Sequence, residues 1–210
     1  MEDVLEVYHR PYDPSRPVVC LDEQPKMLHG TPRGEIPAAP GRPTRQDYEY
    51  ERQGGCNLLL CLEPLAGKRQ VSVTERRTAL DFADQLRLLS DECYREADKI
   101  VLVLDNLNTH TPAALYARFA PEQARRLASR FEWHYTPEHG SWLNIAECEL
   151  SVLSRQCLAR RMETFEEVTR EVAAWQARRE QANTPIKWQF TTADARIKLR
   201  RLYPEIRDHN

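Results

Sequence analysis

The chain has 210 residues, 41% apolar and 30% charged, and its 30 basic and 32 acidic side chains leave a formal net charge of -2. That length and mixture suit one sizeable domain with a filled core and a charged surface. The mean hydropathy of -0.67 and the lack of any apolar run near the ~20 residues of a bilayer span argue against a membrane protein. A balance so close to neutral also excludes nucleic-acid binding through bulk charge, so such binding would need local basic patches.

The opening Met1-Glu2-Asp3-Val4 lacks both a basic start and an apolar signal region, so a cytoplasmic location is expected. Residues 1–16, with Arg10-Pro11-Tyr12-Asp13-Pro14, read as a lead-in segment, and Val18 to Leu21 as a first strand. From His29 to Thr44, prolines 32, 37, 40 and 43 alternate with glycines 30, 34 and 41, which predicts a long loop without regular structure. A Gly54-Gly55 turn then precedes a strand over Asn57 to Leu62, and Gln70 to Val73 alternates as a half-exposed strand should. Leu80, Ala83, Leu86 and Leu89 mark one face of a helix over Thr78 to Tyr94. A buried strand runs from Ile100 to Leu104, one or two short helices broken near Pro121 fill 112–130, and Phe131 to Tyr135 is a further strand. A helix is expected from Ser141 to Leu158, another from Thr164 to about Gln181, and a last basic helix capped at Thr191-Thr192. Three antiparallel strands followed by helix-linked strands predict an α/β, ribonuclease-H-like mixed sheet with helices on both faces. The expected division is a main folded unit over 17–183, containing the Pro/Arg-rich loop 29–46, and a basic C-terminal tail helix over 184–210.

The cysteines at 20, 56, 61, 93, 148 and 157 form no C-x-x-C pair and read as free thiols in a reducing compartment. Cys56 and Cys61 have a spacing open to zinc, but no second ligand pair accompanies them.

Two apolar runs end in aspartate, Val18-Val19-Cys20-Leu21-Asp22 and Ile100-Val101-Leu102-Val103-Leu104-Asp105. Carboxylates at the C-terminal lip of two strands stand where α/β sheets bind ligands, and hard divalent cations take oxygen donors of this kind. Each aspartate taken alone reads more readily as a turn or cap residue than as a metal ligand, and only the pair on two buried strands brings the two readings level. A third acid would come from the helix whose stripe runs Leu143, Ala146, Leu150, Leu153, Cys157. Glu147 and Glu149 border that stripe on opposite sides, and periodicity does not choose between them.

Asp105-Asn106-Leu107-Asn108-Thr109-His110, followed by His139-Gly140-Ser141-Trp142-Leu143-Asn144-Ile145-Ala146-Glu147, resembles the second and third motifs of bacterial insertion-sequence transposases of the mariner-related DDE superfamily. Asp22-Glu23 resembles the first motif, and Thr191 to Pro204 the end of such proteins. The resemblance implies Asp22, Asp105 and Glu147 as catalytic, metal-binding residues holding two Mg²⁺ or Mn²⁺ ions, with Asn106, His110 and Asn144 as supporting polar groups. It implies cleavage of DNA and strand transfer into target DNA, with DNA as partner and action as a homodimer or beside a polypeptide carrying the helix-turn-helix part. Arg33, Arg42 and Arg45 in the loop, Arg155, Arg160 and Arg161, and Arg196, Lys198, Arg200 and Arg201 are candidate phosphate contacts. Trp142 reads either as core or as a stacking surface for a base.

The chain departs from the family pattern in two places. Forty-one residues separate Asp105 from Glu147, several more than is usual. About 17 residues precede the first strand, so the family's N-terminal helix-turn-helix modules are expected to be absent. The reading is a transposase catalytic domain, with a catalytically silent remnant that binds DNA or another transposase copy as the alternative.

Overall fold

The computed structural model describes residues 1–32, 35–36, 38–43, 45–46, 49–138 and 140–203, with 35–36 and 45–46 as backbone only. In chain order the elements are α1 (Glu2–Tyr8), β1 (Val18–Gly30), β2 (Glu35–Ile36), β3 (Arg45–Gln46), β4 (Glu51–Glu63), β5 (Lys68–Thr74) and α2 (Ala79–Leu88). They continue with β6 (Ile100–Leu104), α3 (Ala113–Arg118), α4 (Pro121–Ala128), β7 (Phe131–Tyr135), α5 (Ile145–Leu153), α6 (Phe165–Ala182) and α7 (Thr192–Lys198). One five-stranded sheet has the order β5-β4-β1-β6-β7. β5, β4 and β1 form the expected antiparallel meander, and β1, β6 and β7 run parallel.

The side-chain alternation of the strands divides the core in two. Cys20, Leu58, Leu60, Leu62, Val101 and Val103 pack against α1, α5 and α6, with Trp175 at the centre. Val19, Leu21, Leu59, Ile100, Leu102 and Leu104 pack against α2, α3 and α4. Cys56 and Cys61 fall on opposite faces of β4, so one zinc ion could not take both. All six thiols are free. No helix among the described residues is long and apolar enough to cross a membrane.

Several expectations need correction. The opening segment is more than a lead-in: α1 buries Val4, Leu5, Val7 and Tyr8, and seven residues are too few for helical periodicity to declare itself. β1 does not stop at Leu21 but continues to Gly30, held by β4 alone after its pairing with β6 ends at Cys20 and Val103. The free edge beyond that point tolerates Pro25, whose missing N–H needs no partner there. Gly54-Gly55 is not a turn but lies inside β4. Pairing steps from Met27–Gly55 to His29–Arg52, so β4 carries one extra residue, and Gly54 at φ +95° accommodates the bulge. The 29–46 loop is not wholly irregular, because β2 pairs with β3 and Ala39 with Arg42. The helix expected over 141–158 is split into a 3₁₀ turn (Ser141–Leu143), α5, and a π turn (Ser154–Leu158). The C-terminal helix α7 is seated rather than trailing, with Ala195 buried in the α5–α6 side of the core.

The β4–β5 hairpin turns at Gly67, φ +68°, pressed against the chain at Asn183 to Pro185. A Cβ at Gly67 would lie 2.9 Å from Asn183 Oδ1 and 3.0 Å from Pro185 N, whereas one at Gly54 would meet nothing within 4 Å. Gly67→Ala is therefore expected to destabilise by about 2–4 kcal/mol in urea denaturation, combining strain with a clash. Gly54→Ala carries the strain alone and should cost roughly 1 kcal/mol.

Candidate active site

The parallel register places the two aspartates side by side. Val18, Val19 and Cys20 pair with Val101, Leu102 and Val103, and Asp22 and Asp105 each stand two residues beyond the last pair. Asp105 lies where β6 has ended, whereas Asp22 is inside β1, opposite Leu60. The expectation of two strand ends thus holds for Asp105 only; Asp22 reaches the lip because its neighbouring strand stops, not its own.

Asn144 brings the third acid. This fully buried side chain caps α5, its Oδ1 accepting from Ala146 N–H at 3.2 Å, and its Nδ2 donates to the Leu21 carbonyl at 2.8 Å. The cap is tied to β1 one residue before Asp22, and Glu147 follows in the first helical turn, its N–H bonded to the Asn144 carbonyl at 3.1 Å. An acid in that turn also suits the positive end of the helix.

The ambiguity between Glu147 and Glu149 resolves cleanly. Glu149 is 1% exposed and bound by two arginines, Arg69 Nε at 2.6 Å and Arg179 Nε at 2.9 Å. Arg69 itself reaches the carbonyls of Gly67 and Thr184, so this buried cluster ties β5, α5 and α6 together. Removing one partner of such a pair costs roughly 3–5 kcal/mol, because the other charge stays buried and unmatched. Glu149 is structural, and Glu147 is the acid whose charge reaches Asp22.

Burial pushes the Asp22 carboxyl up to about 7, and the nearby charges of Asp105 and Glu147 push the same way. The charge of His110 acts on Asp22 in the opposite direction. Among the described residues no three acidic, histidine or cysteine side chains converge closely enough to cage a metal ion. The locus is an open one, gathered but not closed.

Of the supporting groups, His110 is fully buried, with Nδ1 2.5 Å from Asp105 Oδ1 and its ring packed on Phe82. Asn106 is exposed and makes no side-chain hydrogen bond among the described residues. Trp142 is not core: it is 40% exposed and meets Phe190 edge-on at 6.0 Å between centroids. Arg160 is engaged by Glu167 and Glu171, Arg196 by Glu2, and Lys198 by Asp194. Arg161 bonds the Glu49 carbonyl and lies over Tyr50. Arg42, Arg155, Arg200 and Arg201 are exposed. Arg33 and His139 lie outside the described residues, as does the side chain of Arg45. Sequence reasoning missed Asn57 and Arg77, and saw Glu23 only as a motif neighbour; Glu23 lies beside His110 and is contacted by both of the others, Asn57 through pairing across β1 and β4 that no local pattern announces and Arg77 from the segment after β5.

The sequence profile of DDE superfamily endonucleases matches residues 17–169, a stretch holding Asp22, Asp105 and Glu147. The chain belongs to the DDE superfamily of endonucleases. Among solved structures, this DDE endonuclease chain is similar to the Mos1 strand transfer complex, with TM-score 0.51 and 20% identity over 83% of its own length and 51% of that chain. It also matches a pre-cleavage Mos1 transpososome, with TM-score 0.47 and 17% identity over 83% of its length and 52% of that chain. The first likeness shows the ribonuclease-H-like fold. The DDE chain spans about half the length of these solved structures, and no curated protein matches it significantly.

Two outcomes follow for this DDE endonuclease. An acid raised on folding loses stability as pH climbs from its ordinary value of 3.8 towards about 7. In metal-free buffer Asp22→Asn should therefore exceed the wild type above pH 7, by up to about 4 kcal/mol, and converge with it below pH 4; parallel stability curves would refute the shift. Asn144→Ala removes both a cap and a buried tie, so urea denaturation should show a loss of roughly 2–4 kcal/mol.

Proposed function

We propose that the chain is the catalytic domain of a transposase, cleaving a DNA phosphodiester and transferring the freed end to target DNA. The observation that carries this reading is the gathering of Asp22, Asp105 and Glu147 at one lip of the sheet, inside the stretch that matches the DDE endonucleases. The three acids are the proposed catalytic and metal-binding residues. Their donors are all oxygen, the set that Mg²⁺ and Mn²⁺ prefer, and such ions commonly keep water and substrate phosphate among their ligands. The Asp22 carboxyl is raised first by burial and then by the charges of Asp105 and Glu147, and a divalent cation would offset both.

When bound, such ions neutralise phosphate charge and activate water for an in-line displacement. The residues of the chain do the holding. Asp22 and Asp105 present carboxylates from adjacent strands, the Asn144 cap sets Glu147 beside them, and His110 restrains Asp105. The exposed Arg42, Arg155, Arg200 and Arg201 are the proposed phosphate contacts, since among the described residues no acid engages them as acids engage Arg160 and Arg196. Element ends and target DNA are the proposed partners, with a second copy or another polypeptide supplying end recognition. The proposed setting is a bacterial insertion sequence and the bacterial cytoplasm.

The test is Mn²⁺-dependent cleavage of DNA carrying the sequence that flanks the gene. Wild type should cut, and Asp105→Ala should lose at least about 100-fold, more than the 10–100-fold typical of an outer-shell partner. Equal cleavage by Asp105→Ala would overturn the assignment. Absence of both cleavage and Mn²⁺ binding in the wild type would favour the silent remnant.

A further inference from the structure

Two buried polar atoms without a hydrogen-bond partner among the described residues, Asn57 Oδ1 and His110 Nε2, lie behind Asp105 around the carboxylate of Glu23. Glu23 follows Asp22 along β1 and so points to the opposite face of the sheet, the side of α2 and Phe82. There its carboxylate takes an ion pair from Arg77, meets Asn57 Nδ2 at 3.3 Å, and lies 3.9 Å from His110 Nε2. The other ring nitrogen of His110 is bonded to Asp105 Oδ1 at 2.5 Å. Phe82 packs on the imidazole at 4.6 Å between centroids, and Tyr135 Oη donates to the His110 carbonyl at 3.0 Å, so ring and backbone are both held.

Unmatched polar atoms are expensive inside a protein, and plain packing would be served better by apolar side chains. Their concentration on the far side of one candidate ligand calls for a role at that ligand. We infer that Glu23 and His110 form a positioning relay: Glu23 orients the imidazole through Nε2, and Nδ1–H fixes one oxygen of Asp105, leaving the second oxygen free for a metal ion. The 3.9 Å step is closed by one bridging water, which donates one hydrogen to Nε2 and the other to the Glu23 carboxylate. Arg77 and Asn57 hold Glu23 in place. Neither Glu23 nor His110 touches the reacting atoms; both act through Asp105. Carboxylate ligands are themselves oriented by hydrogen bonds from a surrounding shell, and losing such a partner weakens metal binding about 10–100-fold.

The inference rests on Asp105 being a metal ligand, as proposed above. The experiment is calorimetric titration of the DNA-free protein with Mn²⁺ alone, with thermal unfolding of each variant alongside. Asp105→Ala should abolish binding. Glu23→Gln, nearly isosteric, should weaken Mn²⁺ about tenfold, and His110→Ala by about 10–100-fold. His110→Asn keeps an amide donor toward Asp105 and should recover part of that loss. Once His110 is Asn, adding Glu23→Gln should change nothing further, because the path from Glu23 to the ligand is already cut. A merely structural Glu23 would give additive losses that track the unfolding temperature, and that result overturns the relay. So does an unchanged Mn²⁺ affinity in Glu23→Gln when Asp105→Ala has lost binding. Retained binding in Asp105→Ala would instead overturn the ligand assignment beneath it. If His110→Ala fails to fold, the Glu23→Gln and His110→Asn variants still separate a relay from a structural role.

Discussion

The side chain of Asn144 joins the two halves of this protein's candidate site. An asparagine can accept with its oxygen and donate with its nitrogen at once, and here the oxygen starts α5 while the nitrogen grips the Leu21 carbonyl of β1. A serine or aspartate would cap the helix as well, but neither could also reach a carbonyl with an amide donor. The register of α5 on the sheet, and with it the approach of Glu147 to Asp22, depends on that double bond. Tyr8 reinforces the junction from α1, its hydroxyl donating to the Leu143 carbonyl at 2.7 Å.

Charge is distributed along α5 with a clear division. Two residues apart, Glu147 stands at the open lip and Glu149 is sealed between Arg69 and Arg179. The sealed acid is matched by guanidinium groups and holds the helix; the open acid joins two aspartates in a shared negative field. The fold satisfies the Glu149 carboxylate fully and leaves Asp22 buried beside two other acids, and perturbed groups of that kind cluster where functional groups stand.

Much of this was legible in the sequence. The strand-length apolar runs, the helical stripes and the threonine caps depend on near neighbours, so β6, β7, α2, α6 and α7 lie close to where periodicity puts them. The errors share one cause, which is pairing between distant segments. Gly54-Gly55 has the composition of a turn, yet β1 continues far enough to hold it as a bulge. Pro25 and the prolines beyond it hid the length of β1 because the free edge that tolerates Pro25 is set by where β6 stops. At the candidate site, Asp22, Asp105 and Glu147 were proposed through motif resemblance, whereas setting Glu149 apart required Arg69, 80 residues away. Glu23 and Asn57 meet because antiparallel pairing brings β4 alongside β1, and His110 joins them from the segment after β6, which pairs with β1 on its other side; no local spacing records that.

A divalent cation between the aspartates is what the proposed chemistry requires above all. Crystals of the wild-type protein soaked in Mn²⁺, with an anomalous difference map, give the most direct answer. The prediction is a peak in contact with the carboxylates of Asp22 and Asp105 and within reach of Glu147. A map without such a peak at saturating Mn²⁺, or with its only peak elsewhere on the molecule, would contradict it.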